Sequence, residues 1–142
     1  MADNDDEVKG VAMRRDGIQH AELSRLIGLL GHTDRVVVAD CGLPLPRDLP
    51  VVDLALGRGH LGFQVVLDAL LDEIVVQSHT VASESEGSAA ADWFTQSADR
   101  MGERHEVTHE QFKKGLNSAA FAVRTGERTP YANVLLECGV PF

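Results

Sequence analysis

The stretch RVVVAD, Arg35 to Asp40, holds three valines in a row with no polar residue among them. A strand with one wet face alternates apolar and polar residues, whereas an unbroken β-branched run is the pattern of a strand covered on both faces. Gly42, Pro44 and Pro46 then stop the run at once. One end of a buried strand is thereby marked by Asp40, and the other by a histidine and a second aspartate in GHTD, residues 31–34.

The flanking sequence supplies the layers such a strand needs. From Ile18 the apolar positions Leu23, Leu26, Ile27 and Leu30 recur with helical spacing. Asp16 is placed to cap this helix and Gly31 to end it in a left-handed turn, so that His32 falls just beyond its C-terminus. VVDLALG, residues 51–57, reads as a short alternating strand, 61–71 as a helix with Phe63, Val66, Leu67, Leu70 and Leu71 on one side, and 73–77 as another strand. The polar, alanine-rich segment that follows predicts a helix from Ala89, in which Trp93 is a core or interface anchor.

HEVTHEQF predicts a short strand and a helix start: Thr108 and Gln111 have capping-box spacing, and His109 takes the first helical position. The chain closes with strands over 120–125 and 133–137 joined by a turn rich in Gly, Thr and Pro. Strands alternating with helices give an α/β class: a single compact domain, with a mixed sheet flanked by helices. Residues 1–9, with five acidic or amide residues in sequence, predict a disordered extension before a domain spanning 10–142.

Lys and Arg number 13 against 22 Asp and Glu, a formal charge of -9, which argues against nucleic acid as a partner. No apolar run approaches the ~20 residues of a membrane span, and the acidic N-terminus is unlike a signal peptide, so a cytoplasmic protein is expected with no membrane partner. Cys41 and Cys138 lack metal-ligand spacing and read as buried free thiols. Neither G-x-G-x-x-G nor a P-loop is present, which removes the simplest nucleotide-binding readings.

An α/β sheet binds ligands beyond the carboxyl ends of its strands, where Asp40 is expected. Position alone leaves open whether Asp40 serves a ligand or only the turn amides ahead of Gly42. His32 at a helix C-terminus sits where the dipole favours imidazolium, a suitable setting for a general acid, or it simply bonds orphan carbonyls. Asp34 fits a capping role better than that of orienting His32. His109 faces the opposite helix end, which supports a neutral ring. Tyr131 and Asn133 in TPYAN carry the donors and acceptors that hydroxyl-rich ligands need, or else cover a sheet edge and serve the turn. His20, His60, His79 and His105 have no such setting and read as surface or packing residues.

Taken together, GHTD at 31–34, ADCGLPLP at 39–46, THEQFK at 108–113 and SAAFAVRTGERTPYANVLLECGV at 118–140 resemble the D-ribose pyranase family. The resemblance runs from about Gly10 to Phe142, with four separated motifs in order. It implies a cofactor-free isomerase of pyranose and furanose D-ribose, working in cytoplasmic ring-shaped homo-oligomers, as a pentameric ring or a pair of rings, with sites near subunit boundaries. It further implies that His32 is the proton donor and that Asp40, His109, Tyr131, Ala132 and Asn133 bind the sugar. The related L-fucose mutarotases share GH-x-D, but GLPLP and Ala132 of YAN favour the ribose branch. A mutarotase of another sugar and a noncatalytic sugar-binding protein stand as alternatives. A zinc hydrolase built on His32, His109 and Asp40 is a poor third, since no metal-ligand pair occurs at i, i+4.

Overall fold

The computed structural model describes residues 13–57 and 59–142, so the expected disorder of residues 1–9 and the first residues of the domain lie outside the described part. Its elements run in the order α1 (Ala21–Gly28), β1 (Arg35–Ala39), β2 (Val51–Asp53), α2 (Phe63–Leu71), β3 (Val76–Ala82), α3 (Ala89–Gln96), β4 (Glu103–Val107), α4 (His109–Gly115), β5 (Phe121–Arg124) and β6 (Val134–Cys138). All six strands join one sheet in the order β2-β5-β1-β6-β3-β4. Parallel pairing of β1 with β5, β2 with β5 and β3 with β4, and antiparallel pairing of β6 with both β1 and β3, leave β6 as the one reversed strand.

The valine run behaves as its pattern requires. Val36 and Val38 enter a large core with Leu23, Phe63, Leu67, Leu70 and Phe94 from α1, α2 and α3. Val37 and Ala39 point the other way, into a second core with Leu43, Leu49, Phe112 and Leu116. Sitting between β5 and β6, β1 has ladder partners on both edges as well as cover on both faces. Among the described residues, no helix is long and apolar enough to cross a membrane.

Four boundaries differ from the sequence reading. Helix α1 begins at Ala21, where the ring Nδ1 of His20 accepts from the Leu23 amide at 3.1 Å, so His20 and not Asp16 is the cap. The chain before it bends at Asp16 and Gly17, the latter at φ 81°, and the Ile18 amide donates to the Glu73 carboxylate. Gly31 does not adopt the left-handed conformation; Thr33 does, at φ 73°, while Asp34 Oδ2 accepts from the Gly31 amide at 2.8 Å. Asp34 thus has the turn role. The strand expected at 73–77 lies instead at Val76–Ala82, with His79 and Val81 turned into the core and Ser78 and Thr80 half-exposed, an alternation masked by polar residues. The strand expected over 51–57 is only Val51–Asp53, at the sheet edge.

Other expectations hold. Helix α3 starts at Ala89, where Ser88 accepts from the Ala90 amide, and the Thr108 and Gln111 capping box is complete; both cysteines are free, Cys138 buried as expected and Cys41 only half-buried. Trp93 is a partly buried anchor stacked on Phe63 at 6.0 Å, while Phe94 meets Phe63 edge-on at 5.7 Å. Phe63 is fully buried at the centre of this group. Phe63→Ala is therefore expected to cost about 3–5 kcal/mol of stability, read by urea denaturation followed through Trp93, the sole tryptophan.

Candidate functional site

With five strands running one way, the carboxyl ends of β1, β3, β4 and β5 emerge at one rim of the domain, and the start of the reversed β6 returns to the same rim. Residues far apart in sequence converge there: Asp40 after β1, His109 after β4, and Tyr131, Ala132 and Asn133 just before β6. A cavity of about 380 Å³ opens between them, lined by Asp40, Pro44, His109, Thr129, Tyr131 and Asn133 among others.

At its base Asp40 and Asn133 are bonded reciprocally. The Asp40 amide donates to Asn133 Oδ1 at 2.8 Å, and Asn133 Nδ2 donates to Asp40 Oδ2 at 3.2 Å. Asp40 Oδ1 also accepts from the Gly42 amide at 3.0 Å, the turn bond expected of an Asp before a glycine. Asp40 is 9% exposed and Asn133 1%. Burial pushes the Asp40 carboxyl above its ordinary range, against the opposing pull of Gly42, Asn133, Leu43 and the nearby His109. A carboxylate held this way is a better proton acceptor than an exposed one.

His109 opens α4 and is oriented twice over. Its amide donates to Glu84 Oε1 at 2.9 Å, and its ring meets Tyr131 edge-to-face at 5.1 Å. The ring Nδ1 is buried and has no hydrogen-bond partner among the described residues. Tyr131 has φ 62°, and its carbonyl accepts from the Asn133 amide at 2.9 Å, a tight turn that presents the ring while folding Asn133 back beneath it. Ala132 is wholly buried and packs in the main core, so its side chain offers a ligand nothing and only its backbone can take part.

His32 is elsewhere. It precedes β1, whereas Asp40 follows it, and five strand residues at about 3.3 Å each separate them by roughly 17 Å. There His32 Nε2 meets Gln77 Oε1 at 3.0 Å, Gln77 Nε2 donates to Glu137 Oε2 at 2.7 Å, and Arg35 Nε donates to Glu137 Oε1 at 3.2 Å. Because Gln77 spends its amide hydrogen on Glu137, it offers His32 an acceptor, so Nε2 is the protonated ring nitrogen. Within the chain His32 therefore shares no pocket with Asp40, His109 or Tyr131, and these side chains cannot share a zinc ion. Among the described residues no group of three or more His, Cys, Asp or Glu is arranged to hold a metal.

A hollow of about 420 Å³ lies over β3, β4 and β6 beside Arg35, Gln77, His105 and Glu137, and is lined by none of the site residues expected from sequence. Two acidic residues at the rim were missed by sequence reasoning. Glu84, which orients His109, is placed only by the β3 and β4 pairing. Glu127 could have been found by the rule that pointed to Asp40, since it lies just past the carboxyl end of β5.

Residues 13–141 match the RbsD / FucU transport protein family. A D-ribose pyranase of Cutibacterium acnes is 47% identical over 92% of this chain and 100% of its own length. One from Geobacillus thermodenitrificans is 42% identical over 92% and 99%. Among solved structures, Bacillus subtilis RbsD complexed with D-ribose superposes with a TM-score of 0.86 at 36% identity, covering 92% of this chain and 100% of that one. A fucose mutarotase from Streptococcus pneumoniae, at 21% identity and a TM-score of 0.74, shares the fold. The chain belongs to the RbsD / FucU family.

Proposed function

We propose that this protein is a cofactor-free isomerase that interconverts the pyranose and furanose forms of D-ribose. The observation that carries the reading is the rim cavity, where a buried carboxylate, a histidine, a phenol and an amide converge. Relatives at 42–47% identity over nearly their whole length are D-ribose pyranases, and the similar B. subtilis protein was solved with D-ribose.

Opening a cyclic sugar moves two protons. The ring oxygen gains one as its bond to the anomeric carbon breaks, and the anomeric hydroxyl loses one as the aldehyde forms; a different hydroxyl then adds to the carbonyl by the reverse steps. Asp40, made more basic by burial, accepts the proton of the anomeric hydroxyl. His109, Tyr131, Asn133 and the backbone at Ala132 bind the remaining hydroxyls, and His32 gives the proton to the ring oxygen. Roughly 17 Å of β1 separate His32 from Asp40, more than a five-carbon sugar can span, so the donor comes from a second subunit. The working form is accordingly a homo-oligomer, a pentameric ring or a pair of rings, with each pocket closed by a neighbour. Unpaired Cys41 and Cys138 suit the reducing cytoplasm.

His32→Ala is expected to lower ribose ring exchange, followed by saturation-transfer NMR, by about 10²-fold in an intact oligomer. Exchange at the wild-type rate would exclude His32 as the donor. Mixing His32→Ala with Asp40→Asn subunits is expected to restore part of the activity that both homo-oligomers lack, which single-subunit sites cannot do. The raised carboxyl of Asp40 sets the acid limb of the pH profile: the group must be charged to accept a proton, so activity falls as pH drops through a midpoint above the ordinary Asp value of about 3.9. Exchange rates equal to buffer, alongside calorimetric ribose binding, would instead identify a noncatalytic binding protein. A sugar panel in the same NMR experiment separates ribose from L-fucose.

A further inference from the structure

We propose that Glu127 is a positioning residue for the sugar pocket, a clamp that holds the Thr125–Asn133 loop in its binding shape; the role rests on the isomerase reading above. Its half-buried carboxylate is divided between two anchors. Oε1 accepts from the amide of Phe63 at 3.0 Å, while Oε2 accepts from the hydroxyl of Thr129 at 2.8 Å and its amide at 3.3 Å. The backbone of the same residue is tied as firmly. The Glu127 carbonyl accepts from the Cys41 amide at 2.9 Å, directly after Asp40, and its amide donates to Thr125 Oγ1 at 3.1 Å. Thr125 Oγ1 in turn donates to the carbonyl of Ala39 at the end of β1, at 2.7 Å.

These bonds join the N-terminus of α2, the end of β1 and the loop before β6. Phe63 is the first residue of α2, and its N-cap, Gly62, has no side chain to satisfy the exposed helix amides. Glu127 supplies that cap from across the fold, and a methyl group at Gly62 would stand only 3.2 Å from Oε1. The loop is thereby fixed to the N-terminus of a core helix on one side and to the Asp40 turn on the other. Tyr131, four residues on, is carried in a left-handed conformation that a loose loop would not hold.

Glu127 also lines the cavity, so a direct role as proton acceptor must be distinguished from positioning. Its bonding favours positioning. Burial pulls its pKa up, but the amide of Phe63 and the hydroxyl and amide of Thr129 outweigh this and hold it below the usual carboxylate range, which makes it a weaker base. Asp40, shifted the other way, is the better acceptor.

The test is Glu127→Gln in the full chain, where an amide NH₂ replaces one of the two accepting oxygens. The clamp predicts a rise in KM for ribose of about ten-fold, with kcat within about three-fold of wild type and an unchanged acid limb. It also predicts faster hydrogen exchange at the Phe63 or Thr129 amide, an effect that is read without substrate. Glu127→Asp, which keeps the charge but is too short to bridge both anchors, is expected to raise KM likewise. A KM within about two-fold of wild type would overturn the proposal. So would a collapse of kcat with loss of the acid limb, which would make Glu127 catalytic, or failure of both variants to fold, which would make it a stability residue. Wild-type protein without ribose exchange above buffer would sink the isomerase reading itself, while the amide exchange data would still report on the clamp.

Discussion

The interaction on which the rest of the structure depends is the burial of β1 on both faces and both edges. Val36 to Ala39 are wholly inaccessible, so every backbone N–H and C=O of that strand must find a partner in a neighbouring strand, because an unpaired buried group costs on the order of a hydrogen bond. β5 and β6 provide the two ladders, and the two cores provide the cover. A strand held in this way is a rigid ruler. It fixes Asp40 at one end and the Gly31–Asp34 turn, with His32, at the other.

The gathering of Asp40 and Asn133 at one rim follows from the reversal of β6. Had β6 run parallel to β1, Asn133 would lie at the far end of the sheet; because it runs antiparallel, the segment before it lands beside the segment after β1. Asp40 and Asn133 can then satisfy one another, which lets a carboxylate sit almost completely buried without an opposing cation. The arrangement is costly for folding and useful for proton transfer, since the same desolvation that opposes burial makes the carboxylate basic. The Thr125 and Glu127 bonds tie the connecting loop to β1 and α2 and keep that geometry from relaxing.

Much of this was legible in the residues. The valine run gave away the central strand, the Thr108 and Gln111 spacing placed His109 at a helix start, and the rule about carboxyl ends of strands singled out Asp40. Legibility failed where local signals were outvoted by contacts from afar. Asp16 is the better cap by residue type, but the chain bends at Gly17 and the Glu73 carboxylate takes the Ile18 amide, one that an Asp16 cap would have held. β3 was displaced because its outward residues are polar and its inward ones include a histidine, so no apolar alternation survives to be read. Ala132 enters through the family resemblance alone, and its methyl group packs in the core, which leaves its backbone for a ligand.

What the sequence determined by itself is the class of fold and the chemical inventory: a covered strand, helices on period, and the acid, imidazole, phenol and amide groups that proton transfer to a polyol needs. Those depend on residue type and short spacing, and both are local. Which groups meet was decided only by tertiary structure, because strand order and direction are set by how distant segments pair. That pairing gathers Asp40, His109, Tyr131 and Asn133 at one rim, leaves His32 at the other, and brings Glu84 to the amide of His109 and Glu127 to that of Phe63, contacts that no local pattern announces.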